Sequence, residues 1–183
     1  MSNGALPSLL KLDLGFNKIG DNGMKALAEA CASGALASLD TLDLSENEIG
    51  EAGMTAFADA LGKGALASLE ILDLQVNQIQ DAGMSALATA CASGALDKLS
   101  CLRLDSNTIG DAGLQAFADA LGKGALDKLT LLSLGNNAIG DAGLQALADA
   151  LSSGALDKIP SILLYVNPGN SAPVDKALRE RRN

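Results

Sequence analysis

An α/β solenoid of six stacked units is the fold class this sequence predicts, and three observations predict it. A pattern recurs every 30 residues without insertion or deletion, opening with Gly-Ala-Leu at Gly4, Gly34, Gly64, Gly94, Gly124 and Gly154. One asparagine keeps the same period, at Asn17, Asn47, Asn77, Asn107, Asn137 and Asn167. Between these markers each copy passes from alternating apolar residues to an apolar stripe at spacings of three and four. A fixed period of this length marks a stacked array, because one strand-helix unit cannot bury its apolar face alone. The expected organisation is one domain over residues 1–183, with five regular repeats at 4–153 and a divergent capping repeat at 154–183.

The second copy shows how each element arises. Leu42-Asp43-Leu44 has the period of a strand with one buried face, which predicts a short strand around Thr41 to Ser45. After Gly50, the residues Met54, Phe57, Ala58 and Leu61 form a helix stripe. Glu51 is expected to cap the start of that helix, and Gly62 or Gly64 to end it. The invariant glycine opening each copy is expected to be left-handed. The glycine after the isoleucine becomes Gln80 in the third copy, so that place should not demand a positive φ. The glycine column at Gly23, Gly53, Gly83, Gly113 and Gly143 becomes Pro173 in the last copy, so its N–H is expected to be dispensable.

A 60-residue overtone lies inside the period. Copies one and three carry Leu27 and Leu87 with Cys-Ala-Ser at the helix end, whereas copies two and four carry Phe57 and Phe117 with Leu-Gly-Lys. Large and small side chains then alternate along the stack, as interdigitating layers require.

In the sixth copy the pattern fails at Pro168, Gly169 and Pro173, and the last helix, expected from Val174 to Arg182, carries Lys176, Arg179, Arg181 and Arg182. A polar terminal helix is what a capping repeat needs. Only Met1, Ser2 and Asn3 precede the first copy, so Leu9, Leu12, Leu14 and Ile19 are expected at an open end with an unpaired strand edge. Missing upstream repeats or a covering molecule are the alternatives there, and self-association through copy one is the expectation.

Composition narrows the function classes. The chain has no His and no Trp, which excludes Ser-His-Asp, Cys-His and His-bearing zinc chemistry. Its net charge is −9, with −8 in residues 1–93 and −1 in residues 94–183. An acidic surface repels phosphate backbones and anionic lipid, so nucleic acid and membrane are disfavoured and a basic protein partner fits better. Cys31 and Cys91 stand at one helical position two repeats apart, roughly 20 Å if helices pack about 10 Å apart. That is too far for a disulfide, so the cysteines read as buried small hydrophobes in a reducing, cytoplasmic setting. No charged leader with an apolar run, and no apolar stretch of membrane-spanning length, is present. No cofactor or catalytic constellation is expected, and the chain reads as a non-enzyme.

Leu-x-x-Leu-x-Leu-x-x-Asn-x-Ile, as in Leu39 to Ile49, resembles the leucine-rich repeat. The following Gly-Glu-Ala-Gly-Met helix resembles its long, intracellular, ribonuclease-inhibitor-like subfamily. The resemblance covers residues 4 to 167 and implies a right-handed horseshoe arc with a parallel concave sheet and convex helices. It also implies binding to other proteins through the concave face. The recurring asparagines are then a structural ladder, since a buried amide can satisfy backbone groups that a turn leaves unpaired.

With Leu42 and Leu44 pointing inward, their neighbours face the concave side, and these columns change at almost every step. The candidate contact residues are Asp13, Phe16, Asp43, Glu46, Glu48, Asp73, Gln75, Val76, Arg103, Asp105, Asn136 and Tyr165. Asp13, Asp43 and Asp73 would stand about 4.8 Å apart on adjacent strands, unfavourable unless solvent, a cation or a partner's basic side chain screens them. The competing reading is that solvent-facing positions drifted after duplication. A non-enzymatic protein-binding scaffold leads, ahead of a small-GTPase-activating accessory, which would need an inserted loop, and of a truncated array with no partner.

Overall fold

The computed structural model describes residues 8–181. Gly4, the three residues before it and Arg182 therefore lie outside the described residues. Six strand-helix units follow in order: β1 (Lys11–Asp13), α1 (Asp21–Ala32), β2 (Thr41–Asp43), α2 (Glu51–Gly62), β3 (Ile71–Asp73), α3 (Gln80–Ala92), β4 (Cys101–Arg103), α4 (Asp111–Gly122), β5 (Leu131–Ser133), α5 (Asp141–Ser152), β6 (Ile162–Leu163) and α6 (Ala172–Glu180). The strands make one parallel sheet in chain order, and each pairs with the residue 30 positions on, so Leu12, Leu42, Leu72, Leu102 and Leu132 align. The result is a right-handed solenoid with the sheet concave and the helices convex.

Between the two faces runs one apolar strip. Leu42, Leu44 and Ile49 are fully buried, as are Leu72, Leu74 and Ile79 in the next copy. The 60-residue overtone sits inside this strip: Phe57 and Phe117 alternate with Leu87 in one buried column, and Leu61 and Leu121 with Cys91 in another.

Each of the first five helices ends on its glycine. The N–H of Gly34 donates to Cys31 O at 3.0 Å and that of Ala35 to Ala30 O at 3.3 Å, the paired bonds of a Schellman closure. Gly34, Gly64, Gly94, Gly124 and Gly154 have φ between 81° and 105°, the left-handed conformation expected of them.

The helix starts are held differently from the expectation. Glu51 does not cap α2; Gly50 is the N-cap residue and no side chain of its own repeat bonds there. Instead the repeat before supplies the acceptor. Asp21 Oδ1 accepts from the N–H groups of Gly50 and Gly53, both at 2.9 Å. Asp81 does the same for Gly110 and Gly113, at 2.7 and 3.0 Å, and Asp111 for Gly140 and Gly143, at 2.7 and 2.8 Å. A helical side chain leans toward its helix N-terminus, so a carboxylate at the first helical position overshoots its own turn and meets the neighbouring one. The N–H groups of Gly53, Gly113 and Gly143 are thus in use, not dispensable. Where Pro173 has none to give, Asp141 accepts from Asn170 N–H at 2.8 Å.

Gly20, Gly50, Gly110 and Gly140 have φ between −104° and −93°, as their exchange for Gln80 suggested. Gln80 itself nonetheless adopts φ 55°, and α3 begins one residue earlier than its neighbours. The last helix also starts earlier than expected, at Ala172, because Pro173 fits an early helical position where no N–H is needed. Arg181 follows it and donates to the carbonyls of Leu151, Ala155 and Leu156, so part of the basic cluster is spent on closing α5.

Candidate protein-interaction surface

The asparagine ladder sets the shape of the concave surface. Asn107, fully buried, donates through Nδ2 to Leu74 O at 2.8 Å and to Leu104 O and Asp105 O at 3.2 Å, while its Oδ1 accepts from Ile79 N–H at 3.3 Å. Asn47, Asn77 and Asn137 make the same set, and Asn167 makes the bonds to Leu134 O and Leu164 O and accepts from Ile139 N–H. Each asparagine thereby joins its own turn to the repeat before it. Asn17, in the first copy, is exposed and bonds only Leu14 O and Gly15 O among the described residues.

The residue before each asparagine carries a feature the sequence hides. Phe16, Glu46, Val76, Ser106, Asn136 and Val166 all have φ between 51° and 56°. Leaving the strand to bury the asparagine requires this left-handed step, and it turns the preceding side chain outward. Phe16 is 78% exposed and Val166 73%. No glycine or asparagine preference marks the column, so its only signal is its place beside the invariant Asn.

The three aspartates align in register on β1, β2 and β3. Each turns Oδ1 to the N–H two residues on: Asp13 to Gly15 at 3.0 Å, Asp43 to Ser45 at 2.9 Å and Asp73 to Gln75 at 3.1 Å. Asp73 is also buried and bonds Arg103 through Oδ2 at 2.9 Å. That hydrogen bond raises the Arg103 guanidinium above its ordinary value. Backbone donors and Arg103 thus supply the screening that the column needs. Among the described residues, no three His, Cys, Asp or Glu side chains are grouped to hold a metal ion.

Asp105 is buried as well, and one oxygen serves three donors. Its Oδ1 accepts from Ser133 Oγ at 2.5 Å, Tyr165 Oη at 2.6 Å and Gly135 N–H at 3.1 Å. This bond raises the Tyr165 hydroxyl above the ordinary phenol value. Asn136 donates to Ser106 Oγ at 2.9 Å, extending the polar network over copies four to six.

The candidate residues therefore fall into two groups. Asp73, Arg103, Asp105, Asn136 and Tyr165 are engaged with one another or with neighbours inside the sheet. Phe16, Glu46, Glu48 and Asp13 are exposed, with Val76 at 45%, and no ion pair reaches these carboxylates among the described residues. Gln75 and Asp43 are half-buried between the groups. The convex side offers shallow grooves between helices, one of about 750 Å³ floored by Ala118, Ala146 and Ala150 and edged by Gln115, Lys123 and Asp149. No described helix is long and apolar enough to cross a membrane.

The family described as Leucine Rich repeat matches this chain at residues 5–28, 35–58, 65–88, 97–118 and 127–148. Among solved structures, Leiomodin-1 Actin-Binding Site 2 is similar with a TM-score of 0.64 at 17% identity, over 99% of this chain and 84% of that one. An internalin from Listeria monocytogenes is similar with a TM-score of 0.48 at 19% identity, over 93% of this chain and 52% of that one. No curated protein matches the sequence.

Proposed function

The chain belongs to the leucine-rich-repeat family, and from that premise we propose that it is a non-enzymatic scaffold seating a protein partner on its concave sheet. The observation that carries this reading is the asymmetry of that sheet. In copies four to six Arg103, Asp105, Ser133, Asn136 and Tyr165 are bonded within the chain, whereas Asp13, Glu46 and Glu48 are exposed beside Phe16 and Val76. Carboxylates without an ion pair around exposed apolar side chains suit a partner segment that brings Lys or Arg together with an apolar anchor. Arg103 and Tyr165 border this footprint.

The outer edge of β1 carries no strand partner among the described residues, and Leu10 beside it is 53% exposed. Self-association belongs to that edge; light scattering at rising concentration checks it, and a constant monomer mass overturns it. The three free cysteines suit a reducing compartment such as the cytoplasm.

Affinity capture tests the concave reading. Asp13→Lys, Glu46→Lys and Glu48→Lys combined should abolish retention of a protein that the unchanged chain captures. A convex control, Glu29→Lys with Asp59→Lys and Asp119→Lys, should keep it. Equal capture by both triple variants overturns the proposal.

A further inference from the structure

Four of the five junctions along the array are closed twice, once on the concave side by the asparagine ladder and once on the convex side by an aspartate at a helix start. One junction departs from this. Between copies two and three the first helical residue is Glu51, which is exposed and makes no described bond to α3, whereas Asp21, Asp81 and Asp111 are half-buried and bonded to the next helix. The nearest side-chain neighbours of Gly83 are Ile79 and Met54, where Gly53, Gly113 and Gly143 have an aspartate oxygen.

The third copy starts its helix along a different backbone path instead. Gln80 takes φ 55°, Ile79 becomes a right-handed N-cap, and α3 gains one residue at its start. The Gln80 N–H turns away from copy two and donates to Asn107 O in copy four at 3.0 Å. Thr108, which faces it, takes φ 53°. Elsewhere the equivalent N–H, that of Gly50, Gly110 or Gly140, donates to the aspartate of the preceding copy at 2.7 to 2.9 Å. Thus the helix-start N–H of copy three is committed forward, to copy four, while Gln78 N–H keeps its bond back to Ile49 O of copy two at 2.8 Å.

The concave closure between copies two and three stays complete. Asn77 Nδ2 donates to Leu44 O at 2.9 Å, Ile49 N–H donates to Asn77 Oδ1 at 3.0 Å, and Leu44 N–H donates to Asp73 O at 2.9 Å. A junction bonded on one side and unlatched on the other has an axis along its bonded side. We propose that the boundary between copies two and three is a hinge, whose axis lies along β2 and β3 and whose opening separates the starts of α2 and α3. Movement there changes the angle between Glu46 and Val76 on neighbouring copies without breaking the sheet, so the acidic end of the arc adjusts relative to copies three to six. The hinge rests on the two substitutions Glu51 and Gln80 and is independent of what the concave face binds.

Pulsed electron-spin distance measurements test it, on a Cys101→Ser background that removes the accessible thiol, Cys31 and Cys91 being buried. Labels at Lys25→Cys and Ser85→Cys span two junctions, including the unlatched one. Labels at Ser85→Cys and Gln145→Cys span two latched junctions with the same offset. The first pair should give the broader distance distribution, by about twofold, and Glu51→Asp with Gln80→Gly should narrow it to match the second. Transplanting the pattern with Asp111→Glu and Gly140→Gln should broaden the second pair. Equal widths for the two pairs in the otherwise unchanged chain overturn the hinge, and that comparison stands even if a latch variant fails to fold.

Discussion

Tyr165 lies across Gly135 and donates its hydroxyl to Asp105, two repeats back along the sheet, at 2.6 Å. A Cβ on residue 135 would come within 2.3 Å of the tyrosine ring, so the close approach requires glycine there. The hydrogen bond holds the Tyr165 proton, and the phenol ionises above its ordinary value near 10. Because Tyr165 is the only tyrosine and the chain has no Trp, absorbance near 295 nm reads its titration alone. The folded midpoint should lie above that of the denatured chain, and Asp105→Asn should bring the two together. The folded value being the higher one, the stabilisation is complete below pH 10 and is lost as pH rises through the folded midpoint. Coincident midpoints in the unchanged protein would contradict the contact. Gly135→Ala should displace the ring and destabilise the last copies by about 1–3 kcal/mol, read by urea unfolding.

The aspartate latches make a second set of expectations, because four of the five junctions use one and the other does not. Removing the Asp21, Asp81 or Asp111 side chain leaves two helix-start N–H groups without their acceptor, so each change to Ala should cost about 1–2 kcal/mol. Glu51→Ala should stay within about 0.5 kcal/mol of the unchanged chain. Denaturant unfolding of the four variants ranks them directly. A Glu51→Ala loss as large as that of Asp111→Ala would show that the glutamate also reaches α3.

Asn107 carries the ladder at its most buried point. Its amide satisfies three carbonyls and one N–H in two repeats. Asn107→Ala strands several buried backbone groups at once, at about 1–3 kcal/mol for a buried group left unsatisfied, so a loss of at least about 3 kcal/mol is expected. Asn17→Ala, at an exposed position with two local bonds, should cost under about 1 kcal/mol. Thermal melts of the pair check the ratio, and equal shifts would mean that ladder position does not matter.

The architecture follows from residues that repeat, and they are readable for that reason. Leu42, Leu44, Asn47 and Ile49 recur because each copy imposes the same steric demand, so period alone places strand, turn and helix. What period does not show is which copy a side chain serves. Asp21 looks like a cap for its own helix and is the acceptor for the next one, since the 30-residue offset that aligns the strands also brings neighbouring helix starts together. The candidate surface was legible only as columns. That Asp73 and Asp105 are turned inward while Glu46 and Glu48 face solvent depends on single partners, Arg103 and Tyr165, each occurring in one copy.

The cysteines give an order of reactivity. Burial pushes the Cys91 thiol up to about 12, with Asp97 adding to the effect, and burial likewise pushes Cys31 up to about 11. Cys101, half-buried on β4, is also raised by burial, but the nearby Arg103 charge opposes the shift. Since the thiolate is the reactive form, an aromatic disulfide reagent at pH 8 should modify Cys101 first, while Cys31 and Cys91 react on the timescale of unfolding. Between pH 9 and about 12 the unfolded chain releases a proton that native Cys91 keeps. Stability is therefore full below pH 9 and falls as pH rises through that window, by at most about 1.4 kcal/mol per pH unit for this thiol. Cys91→Ala should flatten that alkaline decline in urea midpoints. Three thiols modified at one fast rate, or an unchanged slope, would show that the helix layer is open to solvent.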